Sequence, residues 1–283
     1  MTNCPDPRTP RRKAFLLAGL FACMSALAVS HAHAASLAEI QKKGVINVAS
    51  EDDFQPFEFV KDGQPTGYDV ELFNAMSKSF GFKVHHEMIP WTGILPGVTT
   101  GKYDIAVTAV LVTPERLQSL GFTSPVAESV DYYVKRKSDD RIKSVADLNG
   151  LTLGVEAGSA MLKLLPQLDE MLKKTGGKLG KVVEYQDYPS AYQDLATKRI
   201  DYVVNTYLNL HDLVTKRPGV FTLGQPVSKP IYIAWATAKD NTSLLTFMDE
   251  KIAAAKKDGT MAALQKKWFG KTFDDLPSKP SAD

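Results

Sequence analysis

Short β-rich runs alternate with helical runs twice along this 283-residue chain, and that alternation limits the folds open to it. In the first series, a helix over Leu37–Lys43 leads into the strand "GVINVAS" (44–50). A hairpin in "EFVKDGQPTGYD" turns at Asp62-Gly63. Asp69 then reads as the cap of a helix whose apolar face is Val70, Phe73, Met76 and Phe80, with Gly81 as its stop. "KVHHEMIP" (83–90) is a strand, "WTGILPGVTTG" (91–101) a short helix and "YDIAVTAVLV" (103–112) a strand. The second series runs through the strand "ESVDYYVKRK", a short helix in "SVADLNG" capped by Ser144, and the strand "LTLGVEAG". The helix "SAMLKLLPQLDEMLKKTGG", the strand "KVVEYQ", the helix "SAYQDLATKR" and the strand "IDYVVNTY" complete it. A last strand, "KPIYIAWATA", precedes two helices broken at Asp258-Gly259.

Such alternation predicts an α/β fold in which each of two lobes is a mostly parallel sheet flanked by helices. The expected organisation is one lobe from residues 35–129 plus 229–274, a second from 130–228, and a tail over 275–283 whose end, "SKPSAD", reads as disordered. Ligands of open α/β sheets bind beyond the carboxyl ends of the strands. The loops after Ala49, Val112, Val155 and Val204 are therefore expected to face a cleft between the lobes.

The first 34 residues read as a secretory signal peptide, with a membrane anchor, lipoprotein processing at Cys23 in "LFAC" and twin-arginine export as the alternatives. Arg11-Arg12-Lys13 is its positive region, Ala14 to Val29 its apolar run, and Ala32-His33-Ala34 its cleavage site. That segment holds both cysteines, Cys4 and Cys23, so the mature protein should carry neither a disulfide nor thiol chemistry. It also holds Arg8, Arg11, Arg12, Lys13 and Asp6. Removing these from 34 basic and 32 acidic residues leaves 30 and 31, a near-neutral chain with no electrostatic case for binding nucleic acid.

Chemistry concentrates after the strand that ends at Val112. Arg116 follows it by four residues, where a guanidinium can grip a carboxylate in two bonds or pair with a local acid such as Glu115. Other chemistries find little support. His85 and His86 are adjacent in a strand, so their rings point to opposite faces and cannot share a metal. No nucleophile elbow, phosphate loop or paired CxxC occurs, and no metal or cofactor is expected.

The segments "GYDVELFNAM", "WTGILPGVTTGKYDIAV…TPERLQSLGFTSP", "VADLNGLTLGVEAGSA", "YQDLATKRIDYVVN" and "KKDGTMAALQKKWFG" resemble, in order, the landmarks of bacterial periplasmic solute-binding proteins of family 3, the polar amino-acid group. The resemblance spans 37–270. It implies the type II periplasmic-binding-protein fold, with two lobes closing over an amino acid or related small carboxylate. The implied partners are the membrane permease subunits of an ATP-binding-cassette importer, for a monomeric, non-catalytic protein of the periplasm. Two other roles are compatible with it: an enzyme of the cyclohexadienyl dehydratase type, with Glu156 or Glu51 as the acid, or a sensory ligand-binding protein.

By the same resemblance, Arg116 binds the ligand's α-carboxylate, and Phe54 and Trp91 are aromatic walls. Ser159 and Ala160 offer a hydroxyl and backbone amides from the second lobe, although Ser159 also suits a plain helix cap. Glu51 lies near the ligand's amine or side chain, with Asp52 and Asp53 read as a solvated edge. Glu156 sits where family members select side chains. Two positions depart from the pattern. Leu111 stands where the family has Ser or Thr, and Thr206 stands where it has the aspartate that holds the α-ammonium. Thr108 remains as a hydroxyl on the strand, with main-chain groups of Ala109 and Leu111 beside it. The carboxylate half of the site is thus expected to be intact and the amine half altered.

Overall fold

The computed structural model describes residues 34–281, so the signal-peptide reading lies almost wholly outside the described residues. The first part of the described chain holds α1 (Leu37–Lys43), β1 (Val45–Glu51), β2 (Asp53–Phe54), β3 (Glu58–Lys61), β4 (Gln64–Thr66), α2 (Tyr68–Ser77), β5 (Lys83–Ile89), α3 (Trp91–Thr99), β6 (Ile105–Leu111), α4 (Arg116–Ser119), β7 (Leu120–Phe122) and β8 (Ala127–Ser129). The middle part holds β9 (Asp131–Arg136), a 3-10 turn at Val145–Leu148, β10 (Leu153–Glu156), α5 (Ala160–Lys173), β11 (Val182–Tyr185), α6 (Tyr188–Ala196), β12 (Tyr202–Thr206), α7 (Tyr207–Lys216) and β13 (Phe221–Pro226). β14 (Ile231–Ala238), α8 (Thr242–Lys257) and α9 (Thr260–Phe269) close it.

These elements form two principal sheets. The first has the order β5-β1-β6-β14-β7, with β8 also on β14; the second has the order β11-β10-β12-β9-β13. β1 is parallel to β5 and β6, and β10 is parallel to β11 and β12. One strand in each sheet runs against its neighbours, β14 in the first and β9 in the second. Both begin where the chain passes from one sheet to the other, so each lobe is entered by a reversed strand. β6 is buried at every position, as a strand covered on both faces must be. α3 packs against β1, β6 and β14. A cluster around Trp91, Ile94, Tyr103 and Val110 fills that layer, and a larger core around Phe57, Tyr68, Phe73 and Trp235 fills the rest of the lobe.

Asp69 does not cap α2. The cap position is Gly67, at φ 118°, where an added Cβ would collide with the Phe57 carbonyl oxygen. Asp69 lies in the first turn and is buried, and its Oδ1 accepts the indole N–H of Trp235 at 2.9 Å. The expected turn at Asp62-Gly63 is present, both residues having positive φ. Ser144 is the cap of the 3-10 turn, as expected, and Asp147 Oδ2 accepts its amide at 2.8 Å and its hydroxyl at 3.0 Å.

Among the described elements, β2, α4, β7, α7 and β13 are not among those the sequence patterning predicts, and β8 and β9 are predicted there as one strand. α7 continues directly from β12, and the alternation of Thr206, Leu208 and Leu210 with Tyr207 and Asn209 hides the change from strand to helix. β13 is a half-exposed edge strand with a weak apolar signal. The tail is also better anchored than its composition suggests. The Ser278 carbonyl accepts from the Ser124 hydroxyl at 2.7 Å, and the Leu276 carbonyl from Lys256 Nζ at 3.0 Å. Among the described residues, no helix is long and apolar enough to cross a membrane.

Candidate functional site

The carboxyl ends of β1 and β6 in the first sheet and of β10 in the second converge on one small cavity. β1 ends at Glu51, and β2 supplies Phe54. Trp91 opens α3, and Ala109 and Leu111 lie at the end of β6. Arg116 opens α4, Glu156 ends β10, and Ser159, Ala160 and Met161 stand at the start of α5. The cavity encloses about 10 Å³, roughly the space of one water.

Arg116 is half-buried. Its Nη1 donates to the Leu111 carbonyl at 3.0 Å and its Nη2 to the Gly158 carbonyl of the other lobe at 3.4 Å, while its guanidinium lies 5.0 Å from the Trp91 ring centre. Burial lowers its pKa to about 10, against the opposing pull of Glu115 and Glu156, so it stays charged at neutral pH. Glu115 pairs instead with Lys163 of α5 at 3.3 Å. Both partners are exposed, and such a bridge contributes little. No carboxylate of the described residues lies within ion-pair distance of Arg116, which removes the alternative of a local pair.

Two acids, Glu51 and Glu156, share the cavity lining with Arg116. Glu51, Asp53 and Glu156 bring carboxylate oxygens within 4.8 Å of one another. Glu51 and Glu156 are buried, and each leaves Oε1 without a protein partner. Burial first, and then the charges of Glu156, Glu58 and Asp53, hold Glu51 well above the usual carboxylate range. Burial likewise raises Glu156 to about 8, its hydrogen bond with Glu51 pulling the other way. Asp53 is raised to about 6 by burial and by Asp52 and Asp187. Near neutral pH the pair Glu51–Glu156 thus carries at least one proton. Such an oxygen set suits an ammonium or a hard cation.

The structure brings Arg116, Phe54, Trp91, Glu51, Glu156, Ala109, Leu111, Ser159 and Ala160 around this cavity. It does not bring Thr108 or Thr206 there. The Thr108 hydroxyl donates to Glu58, and Glu58 Oε1 also accepts the Ala109 amide at 3.3 Å, so neither that hydroxyl nor that amide is left for a ligand. The Leu111 carbonyl is already used by Arg116. Thr206 caps α7, and its hydroxyl bonds to Asn209. Asn209 in turn reaches across the lobes to the Gln55 carbonyl at 2.6 Å. Ser159 does cap α5, accepting the Leu162 amide at 3.2 Å, while still lining the cavity.

Asp53 is no solvated edge: it joins Glu51 and Glu156. The spacing from Glu51 is two residues, which puts both on one face of an extended chain, and that signal was available in the sequence. Met161 also lines the cavity. It follows from Ser159 being a cap, because the first turn of α5 then fronts the cavity.

Residues 46–271 match the bacterial extracellular solute-binding proteins, family 3. The L-cystine-binding protein TcyJ of Escherichia coli (strain K12) is 30% identical over 236 residues, covering 83% of this chain and 86% of that protein. Among solved structures, an ancestral arginine-binding protein bound to arginine shares 30% identity at a TM-score of 0.72, covering 80% of this chain and 99% of its own. An ancestral amino acid-binding protein, described as a precursor of cyclohexadienyl dehydratase, shares 30% at a TM-score of 0.73, covering 82% and 99%. With the match spanning both sheets and every strand that lines the cavity, the chain belongs to the bacterial extracellular solute-binding proteins of family 3.

Proposed function

We propose that this protein captures a zwitterionic amino acid between its lobes in the periplasm and delivers it to the permease of an ATP-binding-cassette importer. One observation carries the reading: a charged guanidinium with no acid partner among the described residues lines the same cavity as a buried carboxyl pair. The arginine would take the ligand's carboxylate in a two-pronged bond. Glu51 and Glu156 would take the ammonium, the role that Thr206 cannot perform. The cystine- and arginine-binding relatives agree with a ligand of this class. Exclusion of water between the lobes strengthens both charge pairs.

Calorimetry with a panel of L-amino acids tests this. Arg116→Ala should weaken the tightest ligand by at least about a hundredfold, as expected for removing a charge-assisted pair. Undiminished binding by the variant defeats the assignment.

A second reading is favoured by the protonated Glu51–Glu156 pair together with the dehydratase-precursor relative. A neutral carboxylic acid beside a bound ring could protonate a leaving hydroxyl. Incubation with prephenate or arogenate decides between them: a pure binder releases no product.

A further inference from the structure

Beside the small cavity lies a larger cleft of about 400 Å³, and Phe54 lines both, so its ring is the partition between them. Gln55, the next residue, is held from the other lobe at two points. Asn209 Nδ2, on α7, donates to the Gln55 carbonyl at 2.6 Å, and Lys216 Nζ, at the end of α7, donates to Gln55 Oε1 at 2.7 Å. The same ammonium lies 5.8 Å from the ring centre of Phe59 on β3, and it stays paired with Asp212 of its own helix at 2.7 Å. Tyr188 of α6 stands 6.0 Å from Phe54 itself.

Asn209 is aimed by its own lobe. The Thr206 hydroxyl donates to Asn209 Oδ1, which turns the amide N–H groups toward Gln55. The Thr206 amide donates to Asn205 Oδ1 at 2.7 Å, and Asn205 Nδ2 donates to the Tyr192 hydroxyl at 2.9 Å. Asn205, Thr206 and Asn209 are all buried. A buried chain in which each member satisfies the next holds a single arrangement. None of Thr206, Asn209 and Lys216 lines the small cavity. Resting on the reading that an amino acid is trapped in that cavity, we infer that Asn209 and Lys216 form an interlobe latch on Gln55, which keeps Phe54 shut between the cavity and the cleft. Thr206 is the positioning residue of that latch, acting through Asn209. Bonds that span the lobes exist only while the lobes are together, so they slow release and leave entry unchanged.

Stopped-flow tryptophan fluorescence tests this, with Trp91 in the cavity wall as reporter and the twenty standard L-amino acids plus L-cystine as probes. For the tightest probe, Asn209→Ala should raise the dissociation rate constant at least about fivefold, the worth of one buried hydrogen bond, with association within about twofold of wild type. Lys216→Met should raise it about twofold, because that ammonium is exposed. Thr206→Val should match Asn209→Ala, and Thr206→Ser should match wild type. The Thr206→Val/Asn209→Ala pair should release no faster than Asn209→Ala alone, because both act through one bond. A melting temperature near that of wild type marks a variant as folded, and Thr206→Val and Lys216→Met carry the test if Asn209→Ala does not fold. Unchanged dissociation in the folded variants, or a change shared equally by association, overturns the latch while the capture function stands. Failure of wild type to bind any probe overturns the capture function, and the latch with it.

Discussion

Raising the pH from 6 to 8 should tighten amino-acid binding by about fiftyfold, because the carboxyl pair must give up a proton to meet an ammonium. Glu156 titrates at about 8 in the free protein, the first cause being burial. A group with that pKa is about 1% ionised at pH 6, about 10% at pH 7 and half ionised at pH 8. In the complex an ammonium stands against it and keeps it ionised. The free protein thus binds the extra proton, and the association constant rises with pH up to about 8 and then levels. At pH 7 the deficit is about tenfold, or ~1.4 kcal/mol. Arg116 is cationic throughout this range and adds no slope. Titration calorimetry of the tightest ligand in two buffers of different ionisation enthalpy gives both the affinity and the protons released. About one proton should leave at pH 6 and about half at pH 8, and Glu156→Gln should remove most of the slope. Proton release near zero at pH 6 and 7, with a flat affinity, would refute the carboxyl pair as the seat of the ammonium.

Asp131, the first residue of β9, is buried with both carboxylate oxygens unpartnered, and burial alone raises it to about 7. Its folded pKa lies above the unfolded value near 3.8, so its charge costs stability that grows from pH 4 to about 7 and is constant above. Asp131→Asn should therefore match wild type at pH 4 in urea melts and exceed it at pH 8 by on the order of 4 kcal/mol; a variant no more stable than wild type at pH 8 counts against a buried, unpaired carboxylate. Arg136 is buried, donates to the Leu195 carbonyl at 2.9 Å and pairs with Asp139 at 2.7 Å. Asp139 keeps Arg141 at 2.6 Å, so Arg136→Ala should lower unfolding free energy by only about 2 kcal/mol, through lost packing and the Ile200 carbonyl left without its side-chain donor, and a loss under ~1 kcal/mol means the site relaxes around the gap.

The alternation of strand and helix, the two-sheet α/β class and the place of Arg116 were all legible in the sequence. Each follows from local rules: β6 is apolar throughout because it is covered on both faces, and a cation four residues past such a strand must surface at the sheet's carboxyl edge. Contacts between residues far apart in the chain were not legible. Nothing local tells that Glu58 would take the Thr108 hydroxyl and the Ala109 amide, or that Asp69 would turn inward to Trp235 instead of capping its helix. Thr206 looked like a ligand position until the fold made it the cap of an unforeseen helix. Sequence patterning determines which face of each element is apolar, because that depends on the period of neighbouring residues. Which polar groups satisfy one another, and which acids are crowded into protonation, only the tertiary structure decides, because burial and pairing depend on segments brought together from distant parts of the chain.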